Sequence, residues 1–143
     1  MLPQLTDREV FAFVKRHHQK AELGNIDDIL ADYGEKVEHF DKGLVDKAFI
    51  RAEEERYHAP GHSISERVPA QLSLLPLGPD RIRVSYPLQF VRVAPDATWV
   101  KGVADVTLEI AMTPQGFRIV KQNSVPRESE RKKGRGNIPI LDP

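Results

Sequence analysis

The chain has 143 residues, which is the length of a single domain. Its 40% hydrophobic and 29% charged residues are ordinary for a globular protein, and this length can bury a core without a metal or a disulfide. Because 21 Lys and Arg balance 21 Asp and Glu, the net charge provides no general attraction to nucleic acid or anionic membranes. The absence of cysteine excludes disulfides, thiol nucleophiles and cysteine metal sites.

The first half of the chain has apolar residues at helical spacing. The pattern predicts, in chain order, a helix, a short helix, a short strand and a third helix, over residues 6–23, 26–33, 36–40 and 46–57. Each helix begins at a residue that caps helices well, namely Thr6, Asn25 and Asp46. Thr6 also forms a capping box with Glu9, and Gly24 ends the first helix.

From Ser63 onward the apolar residues alternate with a period of two. Tight turns divide this region into four predicted strands, over 63–74, 82–90, 100–110 and 117–119, which indicates an antiparallel meander. Pro87 suggests a bulge or an edge position, because proline cannot donate to a sheet ladder. Residues 126–143 show neither period, so we expect a charged tail that is extended or disordered.

Two passages resemble the nuclear transport factor 2-like superfamily. The first runs over 33–43 and is followed by a helix ending at 56–57, and the second is the strand over 116–120. The resemblance assigns residues 1–125 to one such domain. It implies an α+β cone, in which three N-terminal helices pack on a strongly curved, mostly antiparallel, cystatin-like sheet and a pocket opens at the wide end.

Proteins of this superfamily include ketosteroid isomerases, SnoaL-type polyketide cyclases, dehydratases and domains without catalytic activity. The non-catalytic members bind ligands or assemble with partners. The fold alone therefore does not choose a function, which has to be argued from the site.

His39 is the first candidate for catalysis. By resemblance, its strand position is about where the isomerases place a carboxylate base, and a histidine can act as a base near neutral pH. Asp41, two residues later, could orient His39, or it could begin the turn before Gly43. The alternative for His39 is a pocket-wall residue that makes one hydrogen bond. The missing carboxylate argues against ordinary ketosteroid isomerase activity.

The predicted pocket contains aromatic and apolar side chains. The residues expected to line it are Val14, His17, Tyr33, Val37, Tyr57, Tyr86 and Phe90. A tyrosine hydroxyl among them could stabilise developing charge, or it could be the polar tip of a core residue. No cofactor or metal is predicted, because the pairs His17-His18 and His58–His62 lack a third ligand in register.

The predicted outer face of the sheet carries an apolar group: Val91, Val93, Trp99 and Val103. Since helices do not cover this face, we expect a homodimer through it. The basic residues of the tail have no aromatic neighbours to stack on bases, so we do not expect nucleic acid binding. No segment has the roughly 20 apolar residues of a membrane span and no signal peptide is recognisable, so we expect a cytoplasmic protein.

Two functions compete at this stage. The first is a dimeric, non-catalytic domain that binds a small apolar molecule or serves assembly. The second is an isomerase, cyclase or dehydratase with His39 as general base and a tyrosine as electrophilic partner, which requires an open pocket with His39 at its wall. A third hypothesis makes the basic tail a contact for nucleic acid or a protein.

Overall fold

The computed structural model describes residues 6–132 and 138–141. Within them the elements are, in order, α1 (Asp7–Leu23), α2 (Ile26–Leu30), β1 (Tyr33–His39), β2 (Leu44–Asp46), α3 (Lys47–Tyr57), β3 (Ser63–Arg67), β4 (Ser73–Gly78), β5 (Arg81–Val93), β6 (Trp99–Thr113) and β7 (Gly116–Lys132). None of these helices is long and apolar enough to cross a bilayer.

The predicted caps form at all three helices. The side chain of Thr6 accepts a hydrogen bond from the amide of Glu9 at 3.2 Å, and Asn25 and Asp46 make the same contact three residues ahead. Gly24 ends α1 with a left-handed φ of 73°. The second helix is shorter than predicted, because Tyr33 already belongs to β1.

The sheet has the strand order β2-β1-β7-β6-β5-β3, with β4 also paired to β5. Only the β1–β7 pair is parallel among the pairs described. The predicted strand over 63–74 is interrupted between β3 and β4, which pair with opposite ends of β5. Pro87 lies opposite this interruption, and the β5–β6 register runs past it without a bulge.

The last strand extends beyond the predicted end of the domain. β7 continues to Lys132, with Glu130 opposite Lys101 of β6, so residues 126–132 are strand rather than tail. Backbone pairing with β6 does not require alternating apolar side chains, which is why the charged sequence concealed it. Residues 133–137 and 142–143 of the predicted tail lie outside the described residues.

Strand pairing assigns each side chain to one face of the sheet. The inner face carries the core residues of β5 and β6, which pack with buried residues of α1 and α2; from the strands these are Ile82, Val84, Tyr86, Leu88, Val106, Leu108 and Ile110. A register shift after Glu109 displaces β7 by one residue, which brings Gln122 opposite Leu108 on the inner face. The bulge therefore decides which polar residues of β7 face the helices.

Candidate functional site

A cavity of about 260 Å³ lies between the helices and the inner face of the sheet. Its wall is partly apolar and partly ionisable, with residues from α1, α2, α3 and five strands: His17, His18, Ala21, Ile29, Tyr33, His39, Phe40, Glu53, Glu54, Tyr57, Glu66, Leu88, Val106, Leu108, Gln122 and Ser124. The volume is near the lower end for ligand pockets, and such a mixture of apolar surface with a few polar groups is typical of them.

His17 and Asp32 form a buried pair at the cavity wall. Nδ1 of His17 lies 2.8 Å from Oδ2 of Asp32, and both residues are 6% exposed. His17 faces inward because it follows Val10 and Val14 on the buried stripe of α1. Nε2 of His17 has no hydrogen-bond partner among residues 6–132 and 138–141, so it is free for a ligand.

Asp32 is fixed by its backbone and by a second cation. Its carbonyl accepts from the amide of Ile119 at 2.7 Å, and Nζ of Lys20 donates to Oδ1 at 2.8 Å. Burial raises the pKa of Asp32, but the hydrogen bonds from His17 and Lys20 hold it below its ordinary value. An ionised Asp32 keeps the proton of a neutral His17 on Nδ1 and leaves the lone pair of Nε2 for the cavity.

His18 is adjacent in sequence, but both of its ring nitrogens are occupied. Nδ1 lies 2.9 Å from Oε1 of Glu66, and Nε2 lies 2.6 Å from the hydroxyl of Tyr86. With an ionised Glu66, a neutral His18 donates from Nδ1 and accepts the hydroxyl proton of Tyr86 at Nε2. His18 therefore ties α1 to β3 and β5 and has no free nitrogen for a substrate.

His39 also lies at the cavity wall, on the end of β1. It is 7% exposed, packs edge-on against Phe40 and Phe49, and its Nδ1 is buried with no partner in the part of the chain that the structure describes. Burial lowers the pKa of His39, and the nearby carboxylates of Glu53 and Glu54 oppose this effect without overcoming it. His39 is thus a neutral imidazole without an orienting carboxylate.

Two tyrosines line the cavity, and their hydroxyls differ in hydrogen bonding. The hydroxyl of Tyr33 donates to Oε1 of Gln122 at 2.6 Å, which fixes that amide. The hydroxyl of Tyr57 has no hydrogen-bond partner among the described residues. Burial raises the pKa of Tyr57, and the carboxylates of Glu66 and Glu54 raise it further, so this phenol stays protonated and can donate to a ligand.

No family model matches the chain, and no curated protein matches it. Several solved structures do. A hexachlorocyclohexane dehydrochlorinase of type 2 superposes with a TM-score of 0.72 and 9% identity, covering 94% of this chain and 91% of that one. A protein described as a dehydratase of the NTF2-like family from Streptomyces avermitilis gives a TM-score of 0.73 and 12% identity over 85% and 97% of the chains.

The beta subunit of a benzoate 1,2-dioxygenase from Burkholderia mallei is also similar, with a TM-score of 0.70 and 13% identity over 88% of this chain and 93% of that subunit. The chain has the nuclear transport factor 2-like fold. This confirms the fold class expected from the passages around residues 33–43 and 116–120. At these identities the likeness carries no reaction with it.

Within this nuclear transport factor 2-like fold, three of the seven predicted pocket residues line the cavity: His17, Tyr33 and Tyr57. The catalytic candidate His39 lines it as well. Tyr86 lies behind them, bonded to His18. The other three do not line it, since Val14 and Val37 are fully buried in the core and Phe90 is half-buried on β5. Val14 and Val37 pack within the hydrophobic core instead.

Asp41 does not join His39. It lies in the exposed turn after β1, where the positive φ of Phe40, 52°, turns the chain away from the strand direction. The alternation that placed Asp41 and His39 on one face therefore ends at His39. No group of three or more His, Asp or Glu side chains in the described residues is arranged to hold a metal.

The residues that sequence reasoning missed are the partners of the histidines. Asp32 lies 15 residues from His17, and Glu66 lies 48 residues from His18. No local spacing signals such pairs, because the sheet and not the helix brings the partners together. The only available sign was two adjacent histidines on an amphipathic helix, of which His17 continues the buried stripe.

The apolar side chains predicted on the outer face of the sheet are largely covered within one chain. Val91 and Trp99 are only 3% and 6% exposed, and Val93 and Val103 are half-buried. Leu141, from the predicted tail, is 6% exposed and lines a groove of about 330 Å³ together with Val103. The C-terminal segment thus covers part of the face within one chain.

Proposed function

We propose that this chain is an enzyme that removes a proton from a carbon atom of a small, mainly apolar substrate, as a lyase or an isomerase does. The pairing of His17 with Asp32 carries this proposal. The pair gives the cavity one imidazole nitrogen whose lone pair is free and whose tautomer is fixed by an ionised carboxylate. A carboxylate that orients a histidine in this way is a recurrent arrangement for general-base catalysis.

His17 suits the role of base better than His39, to which the sequence assigned it. Nδ1 of His39 is buried and has no hydrogen-bond partner among the described residues, so no bonded carboxylate fixes its tautomer. Burial also lowers the pKa of His39, which weakens it as a base. His17 gains a charge beside Asp32 when it takes a proton, and that ion pair stabilises the state that follows the transfer.

The remaining wall supplies what such a reaction needs. The hydroxyl of Tyr57, which has no hydrogen-bond partner among the described residues, can donate to a carbonyl oxygen or a leaving group as electrons move away from the carbon. Leu88, Val106 and Leu108 form an apolar floor that holds the carbon skeleton and excludes water. The proton passes to Nε2 of His17 and the carbon–hydrogen electrons form a new double bond. The displaced electron pair departs with the leaving group in an elimination, or moves onto the carbonyl oxygen in an isomerisation.

Two similar structures have names that describe an elimination, which makes it the form of the reaction to test first. One is named a dehydrochlorinase and the other is described as a dehydratase, and both names denote loss of a small molecule across a bond. Such reactions begin with, or include, proton removal from carbon. The dioxygenase beta subunit has the same fold in a larger enzyme, so the fold itself does not require this chemistry.

The test uses nitrobenzisoxazole, a neutral bicyclic carbon acid. A base takes its ring proton, the electrons form a nitrile, and the N–O bond breaks to a coloured phenolate. We expect saturable turnover by the wild-type chain and a loss of at least ~100-fold in the His17→Ala variant, because a positioned general base contributes about 10² to 10⁴.

His62→Ala is the matched control. His62 bonds the carbonyl of Ala59 in a loop and does not line the cavity, so this variant should keep the wild-type rate. A wild-type rate no higher than that of His17→Ala would contradict the enzyme proposal. If the probe bound in the cavity without turnover, the non-catalytic binding domain would become the better interpretation.

We further propose that the chain forms a homodimer through the outer face of the sheet. The half-buried Val93 and Val103 and the exposed Ile140, at 88%, support it, although Val91 and Trp99 are already covered within one chain. Light scattering after size exclusion should give twice the chain mass. An Ile140→Asp change should shift the mass towards one chain, and a wild-type mass of one chain would contradict the dimer.

A further inference from the structure

The charged residues of the cavity wall are all acidic. Glu53 and Glu54 from α3 and Glu66 from β3 line it, and no Lys or Arg belongs to the described lining. The side chains of Glu54 and Glu66 are only 19% and 9% exposed, so water screens them little. Beside Glu53 and Glu54 the wall carries His39, whose buried Nδ1 has no described partner.

The nearest cations do not neutralise these carboxylates inside the cavity. Lys20 forms its ion pair with Asp32. Arg56 pairs with Glu53 at 3.2 Å, but the side chain of Arg56 is 75% exposed. The guanidinium of Arg92 lies 5.0 Å from the ring centre of Tyr57 and donates to the backbone carbonyl of Tyr57 at 2.9 Å. The partners of Glu66 and Glu54 are imidazoles, which carry a positive charge only when protonated.

The ionisable groups around the cavity respond to this negative charge. Burial raises the pKa of Tyr33 and of Tyr86, and the carboxylate of Glu54 at the first and of Glu66 at the second adds to the rise. The same two carboxylates act on the Tyr57 phenol described above. Burial is the largest cause at each phenol and the carboxylates add to it, whereas at Tyr57 the guanidinium of Arg92 acts in the opposite direction.

We propose that the cavity selects its substrate by charge, accepting uncharged or cationic small molecules and excluding carboxylates and phosphates. An anion would bring further negative charge beside Glu53, Glu54 and Glu66 and find no cationic side chain in the described wall to bind it. An amine would find carboxylates to accept its hydrogens. The inference rests on the proposed function only in taking this cavity as the ligand site.

Three one-ring probes of matched shape test the proposal: benzyl alcohol, benzylamine and benzoate. Their dissociation constants are measured by NMR titration of the full chain at neutral pH, with the shifts of Tyr57 and His39 as the site reporters. We expect benzoate to bind at least ~10-fold more weakly than benzylamine. The proposal would be overturned if benzoate bound as tightly as benzyl alcohol. It would also be overturned if neither benzylamine nor benzyl alcohol bound.

A double variant, Glu53→Gln with Glu54→Gln, removes two of the charges with little change of shape. It should reduce the ratio of benzylamine to benzoate affinity by at least ~3-fold. Glu55→Gln on the same helix is the control, since Glu55 is exposed and does not line the cavity, and it should leave the ratio unchanged. An equal ratio in the double variant and the wild type would overturn the proposal.

The two proposals fail separately. Charge selection among the three probes without turnover of nitrobenzisoxazole would remove only the proposed reaction. Turnover that depends on His17, together with tight benzoate binding, would remove only the charge selection.

Discussion

The two faces of the sheet each hold a nearly buried carboxylate, but with different partners. On the outer face, Glu109 is 5% exposed and accepts from both Arg81, at 2.6 and 3.0 Å, and Arg83, at 3.1 and 3.3 Å. On the helix side of the sheet, Asp32, in the turn just before β1, is paired with His17 and Lys20. Arginine keeps its charge at all ordinary pH values, whereas histidine exchanges its proton.

This difference shows that the partner decides what a buried carboxylate does. Burial raises the pKa of Glu109, but its hydrogen bonds to Arg81 and Arg83 hold it below the ordinary value, so the outer cluster is a fixed ion pair. The inner carboxylate is instead bonded to a lysine and to a histidine, and the histidine can take and release a proton. We therefore expect changes on the inner face to alter activity, and changes on the outer face to alter stability.

The largest effect should come from Asp32→Asn. An asparagine amide can donate to Nδ1 of His17 and so place the proton on Nε2, where it blocks proton uptake. Turnover of nitrobenzisoxazole should fall by at least ~100-fold, since the wrong tautomer of a catalytic histidine is severely impaired. Asp41→Asn, in the exposed turn, is the matched control and should be neutral. Wild-type turnover in Asp32→Asn would show that Asp32 does not orient the base.

The next effect concerns the covered part of the outer face. Leu141→Ala should lower the free energy of unfolding in urea by about 2 kcal/mol, because it deletes a buried side chain. Leu23→Ala, at a position on α1 that is 83% exposed, should change it by less than about 0.5 kcal/mol. Equal small effects at both positions would mean that the C-terminal segment does not cover this face in solution.

A somewhat smaller effect should come from Glu109→Gln, which keeps the shape and removes the charge. At neutral pH we expect a loss of about 1–2 kcal/mol in the free energy of unfolding. This is less than the ~1.5–3 kcal/mol of a hydrogen bond to a charged group, because the glutamine oxygen still accepts from the arginines. Since the folded pKa of Glu109 is lowered, its stabilisation is present above the unfolded pKa and is lost as pH falls through the folded pKa.

The difference in the free energy of unfolding between wild type and Glu109→Gln should therefore become smaller below a pH of about 4, where glutamate ordinarily takes up its proton. Urea unfolding curves at a series of pH values measure it. A difference that stays constant through the acidic range would exclude the ionised carboxylate as its cause. At neutral pH, Glu109→Gln and the wild type should turn over nitrobenzisoxazole at equal rates.

The smallest effect should be the pH dependence contributed by His39. Its folded pKa is lowered by burial, so the unfolded chain binds the proton more readily. The wild type should lose stability relative to His39→Gln as pH falls below about 6.5, and the loss should level off below the folded pKa. An NMR titration that places the His39 pKa above its ordinary value would contradict this sign.

Much of the fold could be predicted because its signals are local. The side chains of Thr6, Asn25 and Asp46 bond amides only three residues ahead, so the sequence specifies these helix starts without knowledge of the rest of the chain. The alternation along β5 and β6 likewise assigns the inner and outer rows. The site is different, because the histidine partners are far apart in sequence and no periodicity connects them.

By itself, the sequence determined the helix caps, the alternating strands and the presence of His17, Tyr33, His39 and Tyr57 on inward faces. Only the tertiary structure decided which of these has a free nitrogen or hydroxyl and which is already bonded. It also decided that Asp41 lies in an exposed turn away from the site and that residues 126–132 continue β7. Local hydrogen bonds and side-chain periodicity depend on residues that are close together in the sequence. Buried pairs depend on strands and helices that meet only after folding.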